Sequence, residues 1–349
     1  MKPEREWKPK MNSQLVKKIL LKPIIEAPFD AKSVTSMLVL ATLILSPGIS
    51  ANDAFPVTVT DDRGKPVTVS TSPSSVASVS AFGADTLKAL GQNATGISTL
   101  QHRKSVFLGE QVHTAVDLGE VHEPDMERLT QLKPDLIVGL QQYAEPFSGQ
   151  FEKIAPLLTF DLVTLEDSNR SISALADAVG KHKQGIDIND EFDRKLNEYR
   201  AQAPGGVSVV FLWHWADTIY VFYDHHIATH IMTSLKAEYS MGPSPTPELK
   251  KPDATVLSME QLLTLNPDVI ISFTGDDKPV SFHPVWKRLK AVKTSRAYRV
   301  SDQYVMTHGP IARDMVLREL AHLFYPETFR EPIDIPAEAR AKPLVISEG

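Results

Sequence analysis

The sequence predicts an α/β fold of two Rossmann-like lobes, each with a central parallel sheet, joined by a single long α-helix. The first observation is a repeated stretch, because residues 126–139 and 259–272 are identical at seven of fourteen positions. The second is a charged helical pattern at 191–200, between the two copies. The third is the length of 349 residues, enough for two domains of about 100–200 residues each. The offset of 133 residues is too long for a solenoid repeat and indicates duplicated lobes.

Each copy combines a short helix with a buried strand. Asp125 and Ser258 stand at helix N-cap positions, and Ser258 with Gln261 forms a capping-box pattern. Apolar residues then recur at one-turn spacing until Lys133 and Asn266, which precede prolines and end the helices. The following apolar runs do not alternate, as is typical of strands buried on both faces of a parallel sheet. Any α/β protein contains such units, but the shared Met-Glu and Pro-Asp pairs favour a duplication.

Turn and breaker residues divide the rest of the chain. Residues 57–69 alternate about an Asp-Arg-Gly turn and predict a β-hairpin. A helical connection between the lobes predicts a rigid link and therefore a small closure of a few degrees. The proline-rich end predicts fraying. The predicted organisation is a signal peptide at 1–51, a first lobe at 52–183, an interlobe helix at 184–204, a second lobe at 205–330 and a flexible tail at 331–349.

The first 51 residues have the layout of a secretory signal peptide. Four lysines between residues 17 and 32 precede a charge-free run at 33–46, and small residues follow at 47–51. The run is too short to span a bilayer comfortably, so a membrane anchor is the less favoured alternative. With no cysteine near Ala51 to acylate, we expect an exported periplasmic protein that is not lipidated.

Composition argues against several functional classes. After residue 51, 29 Lys and Arg stand against 39 Asp and Glu, a net charge of −10, which disfavours nucleic acid or an anionic membrane as the main partner. The chain has no cysteine, so disulfides, thiolate nucleophiles and cysteine-ligated metals are excluded. It also lacks a Gly-x-Ser-x-Gly elbow and a zincin motif. An exported metal-dependent hydrolase is therefore a distant alternative, and we expect a protein that is not an enzyme.

The order of these motifs resembles a known family. Thr60-Asp61-Asp62-Arg63-Gly64, both Met-Glu…Leu-x-Pro-Asp copies, the run 283–293 that begins His-Pro-Val-Trp, and the terminal helix together resemble the periplasmic substrate-binding proteins of ABC importers for iron–siderophores, haem and vitamin B12. The likeness covers roughly residues 55–325 and is greatest to the iron-siderophore branch, including ferric dicitrate binders.

The resemblance implies a function and its partners. A soluble, monomeric protein would capture a ferric siderophore in the interlobe cleft and deliver it to an inner-membrane permease and its ATPase. It would hold no permanent cofactor. Haem or cobalamin binding by the same fold is the alternative.

The resemblance also implies one permease-docking glutamate in each lobe. In the family this glutamate follows the first residue of the repeated helix, which corresponds to Glu127 and Glu260. Either carboxylate could instead serve only its own helix, since a first-turn acid is favoured by about 0.3–1 kcal/mol. Two glutamates at matched positions favour docking.

Ligand-binding residues are expected in the loops that follow the strands. A ferric siderophore is large and often anionic, so its site needs aromatic walls and a few cationic donors. Trp213-His214-Trp215, at the end of the first strand of the second lobe, is the densest such cluster, although either tryptophan could be a core residue. The predicted ligand-binding residues are Phe82, Arg103, Tyr143, Trp213, Trp215, Tyr223, His225, Tyr304, His308 and Arg313.

Three histidines raise the alternative of a metal site. His226 and His230 are four residues apart on one helical face, next to His225. No His-Glu-x-x-His motif and no clear third ligand accompany them, so we expect a solvated helix start and no resident metal. Direct ligation of iron by His225, His226 or His308 stays open for haem or for an incompletely coordinated siderophore.

Overall fold

Two α/β lobes follow one another along the chain in the computed structural model, which describes residues 55–215, 218–275 and 278–348. The fold class predicted from the sequence is confirmed. The signal peptide predicted at 1–51 lies outside the described residues. None of the helices described is long and apolar enough to cross a membrane.

The first lobe is a six-stranded sheet with helices on both faces. Its elements are β1 (Val57–Thr60), β2 (Pro66–Val69), β3 (Val76–Ser78), α1 (Ala81–Ala89), β4 (Gly96–Thr99), α2 (Gln111–Thr114), β5 (Val116–Glu120), β6 (Glu123–Pro124), α3 (Met126–Leu132), β7 (Leu136–Leu140), α4 (Gln141–Ala144), α5 (Ser148–Phe151), β8 (Leu157–Phe160) and α6 (Leu165–Ala178). The sheet order is β6-β5-β4-β3-β7-β8, parallel except for edge strand β6, while β1 and β2 form the predicted hairpin. Helices α1 and α6 cover one face, and α3 and α5 cover the other.

The second lobe repeats this plan with antiparallel strands added at its edges. Its elements are α7 (His182–Gln202), β9 (Ser208–Trp215), β10 (Thr218–Phe222), α8 (Ile227–Ser234), β11 (Glu238–Tyr239), β12 (Ala254–Val256), α9 (Met259–Leu265), β13 (Val269–Phe273), α10 (Lys290–Lys293), β14 (Ala297–Val300), α11 (Pro310–Phe324) and β15 (Lys342–Pro343). The order is β12-β10-β9-β13-β14-β15, with β11 also paired to β9. The core is parallel, whereas β10, β12 and β15 run antiparallel to their neighbours.

Both copies of the repeated stretch end their helices in the same way. Lys133 and Asn266, the residues before the two prolines, are left-handed, with φ of 49° and 40°. Proline disfavours a right-handed helical conformation in the residue before it, so each helix stops where the sequence predicts.

The aspartate after each proline explains why the Pro-Asp pair is duplicated. The carboxylate of Asp135 accepts hydrogen bonds from the backbone N–H groups of Ser74 and Ser75 at 2.8 and 2.9 Å. In the second lobe, Asp268 accepts from the backbone N–H and the hydroxyl of Ser208, both at 2.9 Å. Each aspartate therefore pins the start of the neighbouring central strand, β3 or β9.

A single helix connects the two lobes. Helix α7 has 21 residues and so spans about 31 Å at 1.5 Å per residue. It packs along α6 of the first lobe, and it buries Phe192 and Leu196 in the hydrophobic cluster of the second. The connection is thus helical throughout and anchored at both ends, and its observed bounds are two residues earlier than predicted.

Helix α11 forms a second link, because a residue of the first lobe caps its N-terminus. Asp85 of α1 accepts hydrogen bonds from the backbone N–H groups of Ile311 and Ala312 at 2.8 and 2.9 Å. Burial raises the pKa of Asp85 to about 7, while the two backbone donors and Arg313 favour its ionised form. A Cβ atom on Gly309 would lie 2.4 Å from the Asp85 carboxyl carbon, so only glycine fits before this helix.

One turn further along α11, Arg313 joins three helices inside the protein. Its guanidinium donates to Ser168 Oγ at 3.0 Å, to Asn169 Oδ1 at 2.5 Å and to Asn189 Oδ1 at 2.8 Å. It also lies 4.2 Å from the centre of the Phe192 ring. Burial lowers the pKa of Arg313 to about 10, so the side chain stays charged at neutral pH. The seam between the lobes therefore contains a buried polar network centred on Arg313.

The C-terminal segment corrects one prediction. The tail at 331–349 was expected to be flexible, yet through residue 348 it packs against both lobes. Ile335 and Ala339 are fully buried in the hydrophobic cluster of the first lobe, and β15 pairs with β14 in the second. The proline-rich composition predicts irregular backbone correctly, but it does not reveal the apolar residues that anchor that backbone.

The capping interaction across the seam gives a testable prediction. Asp85→Ala removes both acceptors from the N-terminus of α11, so we expect the free energy of unfolding in urea to fall by about 1–2 kcal/mol. Asp187→Ala, on the exposed face of α7, is the control and should change it by less than about 0.5 kcal/mol. An Asp85→Ala protein as stable as its parent would show that the cap does not hold the lobes.

Candidate functional site

The candidate site lies where the carboxyl ends of parallel strands from both lobes meet. Residues after β4, residues after β13 and the end of β14 line one cavity of about 170 Å³. Residues after β7 and β8 line a second, smaller cavity together with the second-lobe loop at 250–252. Ligands of open parallel sheets bind outside the carboxyl ends of the strands, so the seam has the geometry of a binding cleft.

The larger cavity, here called the cationic pocket, concentrates positive charge. Among the described residues, the charged side chains that line it come from both lobes and from the C-terminal segment. They are Arg103 and Lys104 of the first lobe, Arg299 and Asp302 of the second lobe, and Glu338, Arg340 and Lys342 of the C-terminal segment. Asp276 and Asp277 follow Gly275 in sequence and lie outside the described residues. Five cations against two carboxyl groups suit an anionic ligand with several acceptors.

The lobes touch at the edge of this pocket. Arg103 donates from Nη1 to the carbonyl oxygen of Gly275 at 3.0 Å. Gly275 has φ of +70°, and a Cβ atom there would lie 1.6 Å from Gln101 Oε1. Gln101 and His102 are both left-handed, with φ of 52° and 58°, and Glu120 accepts from the His102 N–H at 2.5 Å. Such strained turns are concentrated at ligand sites in proteins.

An aromatic row crosses the second-lobe sheet and ends in the cationic pocket. Strand register places Val256, Tyr220, Trp213, Phe273 and Val300 side by side on β12, β10, β9, β13 and β14. In-register neighbours share one face of a sheet. The ring centroids of Trp213 and Tyr220 are 5.8 Å apart, and Phe273 and Val300 line the pocket. The row therefore forms an apolar wall next to the cations.

Trp215 extends this wall into solvent. Its side chain is 49% exposed and meets the edge of Trp213 at a centroid distance of 5.7 Å. Trp213 itself is half-buried. The two tryptophans share one face and His214 takes the other, stacked 6.3 Å from Trp286, as strand alternation predicts.

Of the predicted ligand residues, His308 lines the second cavity, and Tyr143, Tyr223 and His225 lie next to its other lining residues in sequence or by contact. Tyr143, in α4 directly after β7, is half-buried, and burial raises its pKa. Tyr223 and His225 lie half-buried before α8, where His225 Nε2 is 2.6 Å from the carbonyl oxygen of Leu249. Lys250, in the loop that follows, forms an ion pair of 3.3 Å with Asp161 of the first lobe. This is a contact between the lobes on the second side of the cleft.

Three predicted ligand residues are buried in the protein body, and for them the prediction is wrong. Phe82 packs edge to face with Phe160 at 5.5 Å inside the first lobe. The hydroxyl of Tyr304 donates to Glu319 at 2.7 Å within the second lobe. Arg313 belongs to the seam network described above. Phe82 and Tyr304 follow strands in sequence, but their side chains point into a core, whereas Arg313 lies within α11.

His308 and His226 are both almost fully buried. Burial lowers the pKa of His308 to about 4 and that of His226 to about 3, so both rings are neutral at physiological pH. His226 Nδ1 accepts from the Ala228 N–H at 3.0 Å and caps α8. In the described parts of the chain, no group of three or more His, Asp or Glu is placed to hold a metal ion.

The two glutamates of the repeated helices are both exposed. Glu127 and Glu260 occupy the second position of α3 and α9, one in each lobe. Backbone hydrogen bonding at the helix start lowers the pKa of Glu260, which keeps it ionised. Their matched surface positions make them available to a partner.

Sequence reasoning missed several residues of the cleft. Phe273 and Gly275 follow the second copy of the repeat, so the rule that ligands bind at strand ends could have found them. Arg299 lies within a strand, and Lys250 in a proline-broken loop, so neither carries such a signal. Lys342 was assigned to a flexible tail.

Comparison with known sequences identifies the family. Residues 76–304 match the family described as periplasmic binding protein. The chain belongs to the periplasmic binding protein family.

Two relatives and one solved structure illustrate this membership. The putative ABC transporter substrate-binding lipoprotein YhfQ of Bacillus subtilis (strain 168) is 28% identical over 262 residues, 70% of this chain and 80% of the relative. The Fe(3+)-citrate-binding protein YfmC of the same strain is 26% identical over 250 residues, 68% and 76% of the two chains. The siderophore-binding protein BauB, bound to a complex of two acinetobactin molecules and ferric iron, has the same fold, with 20% identity, a TM-score of 0.64 and coverage of 77% of this chain and 98% of that chain. The resemblance inferred from the sequence is confirmed.

The relatives also correct the predicted localisation. The expectation of a protein that is not lipidated rested on the missing cysteine near Ala51. YhfQ is named as a lipoprotein, so this expectation is wrong by comparison with the family. The segment on which it rested lies outside the described residues.

The burial of His308 predicts one contribution to stability that is lost in acid. The ordinary imidazole pKa of 6.5 applies to the unfolded chain, which therefore binds more protons than the folded chain below that pH. Stability is lost as the pH falls from about 6.5 toward 4, by on the order of 1–2 kcal/mol at pH 5 for His308 alone. Urea denaturation at pH 7 and pH 5 should show a smaller loss for His308→Gln than for the parent. His102→Gln, at an exposed ring, should match the parent, and an unchanged loss in His308→Gln would contradict the prediction.

Proposed function

We propose that this protein is the substrate-binding component of an ABC importer and captures a ferric siderophore in the cleft between its lobes. The observation that carries the proposal is the aromatic row that runs into the cationic pocket. Ferric chelates are often anionic and carry aromatic or hydroxamate groups, so a wall of rings and a set of cationic donors are complementary to them. The names of the relatives support the proposal, because YfmC is named an Fe(3+)-citrate-binding protein and YhfQ a putative ABC transporter substrate-binding lipoprotein.

Each side of the cleft has a separate role in this proposal. Arg103 forms a charge-assisted hydrogen bond to the chelate in place of its contact with Gly275. Trp213 and Trp215 cover the apolar face of the ligand. Tyr143 and Tyr223 contact its far side, near the second cavity. The ligand is cargo rather than a resident cofactor, and the proposed role is binding rather than catalysis.

Haem binding is the weaker candidate. It requires an accessible axial ligand, and His308 and His226 are both buried. His225 is half-buried, and its Nε2 lies 2.6 Å from the Leu249 carbonyl oxygen. A chelate that brings its own complete coordination sphere fits this cleft better.

Delivery to the permease is proposed through Glu127 and Glu260. Both are exposed on matched helices, one in each lobe. Two complementary cationic sites on a permease would therefore bind both lobes at once. Helix-dipole stabilisation accounts for each glutamate singly but not for the pairing.

A binding experiment tests the proposed ligand. Titration with ferric citrate, followed by tryptophan fluorescence, should quench emission with a sub-micromolar midpoint, because the proposal places Trp213 and Trp215 against the bound chelate. Trp215→Ala should weaken binding by about tenfold, the loss of roughly 1.4 kcal/mol of stacking. Phe282→Ala, which removes another partly exposed ring, is the control and should bind as the parent does. A Soret shift with haemin, together with no quenching by any ferric chelate, would instead favour haem.

Uptake measurements test the docking glutamates. Glu127→Arg combined with Glu260→Arg should abolish iron uptake by cells that depend on this protein, while the affinity for ferric citrate stays unchanged. The charge-matched control is Glu110→Arg with Glu327→Arg, two exposed glutamates outside the repeated helices. Normal uptake by the first double variant would remove the docking role without affecting the ligand proposal.

A further inference from the structure

The C-terminal segment 331–348, here called the strap, lies beyond the part of the chain that matches the family. The family match ends at residue 304, whereas the strap follows α11. It contributes to the cationic pocket, which it lines with Glu338, Arg340 and Lys342. The strap therefore lies outside the matched residues and reaches the cationic pocket.

The strap is fixed at its first-lobe end by buried contacts. Ile335 and Ala339 lie in the hydrophobic cluster of the first lobe, and the Gln303 side chain donates to the Ala339 carbonyl oxygen at 2.6 Å. Arg340 donates from Nε to the Ile335 carbonyl oxygen at 2.8 Å and so closes the turn of the strap upon itself. Arg340 therefore has a structural task that Lys342 lacks.

At its other end the strap extends the second-lobe sheet. The Ala341 N–H donates to Glu319 at 2.8 Å, and strand β15 then pairs with β14. Register places Lys342 directly opposite Arg299, and both side chains line the cationic pocket. This edge of the sheet therefore presents two cationic side chains to the pocket.

We propose that the strap is part of the ligand site and that Lys342 is a specificity-determining residue for ferric chelates with exposed carboxylates. The inference rests on the proposed function of the cleft. Lys342 is exposed on an edge strand, faces the pocket beside Arg299, and lies across from Arg103 of the first lobe. A chelate carboxylate placed there accepts a charge-assisted hydrogen bond from its ammonium group. A neutral chelate gains nothing from this lysine.

Two probes test the proposal on the full-length protein. Ferric citrate supplies carboxylates, and a neutral ferric trihydroxamate supplies none. We expect Lys342→Gln to weaken binding of ferric citrate by about tenfold and binding of the trihydroxamate by less than about twofold. Lys342→Arg should retain most of the affinity for ferric citrate. The matched control is Lys153→Gln, at an exposed lysine after α5.

The outcomes separate the strap from the function of the cleft. Equal losses for both probes would make Lys342 a structural residue and overturn the proposal, as would an unchanged affinity for ferric citrate. A parent protein that binds the trihydroxamate but not ferric citrate would also overturn it while leaving the siderophore function standing. A parent that binds neither probe would refute the proposed function itself.

Discussion

The arrangement of the two lobes depends on one carboxylate that crosses between them. Asp85 of the first lobe caps α11 of the second, and Arg313 one turn later binds α6 and α7. Both side chains are buried, so breaking either contact leaves unpaired polar groups away from water. This part of the seam is therefore the least free to open, and any relative motion of the lobes must leave it in place.

The contacts between the lobes at the cleft edges are exposed to solvent, unlike those of Asp85 and Arg313. Arg103 reaches the Gly275 carbonyl oxygen from an exposed loop, and Lys250 pairs with Asp161 near solvent. Exposed contacts of this type contribute about 0–1 kcal/mol. The pocket volume of about 170 Å³ is below the roughly 300–1,000 Å³ of typical small-molecule sites. In the proposed function, a large chelate would enter by parting these edges, while α7 and α11 keep the lobes linked.

Local patterns determined how much could be predicted from the sequence. The repeated helices, their stops before proline, the buried strands and the hairpin follow from spacing and turn chemistry within about fifteen residues. The burial of Phe82, Tyr304 and Arg313 depends instead on which helix packs against them, and sequence alone does not specify that packing. The packing of the strap could not be predicted for a related reason, because its two buried apolar residues are too few to produce a periodic signal.

The same distinction between local pattern and tertiary packing applies to the residues of the candidate site. Trp213 could be found from its place at a strand end, whereas its neighbours Tyr220, Phe273 and Val300 join it only through strand register. The aromatic row is thus built into the rigid sheet, while the cations come from a loop, a strand edge and the strap. Changes in those surface segments can alter the charge presented to a ligand without disturbing the sheet. Under the proposed function, the preference for one chelate over another can therefore change at little risk to the stability of the sheet, and the strap is the segment best placed for such a change.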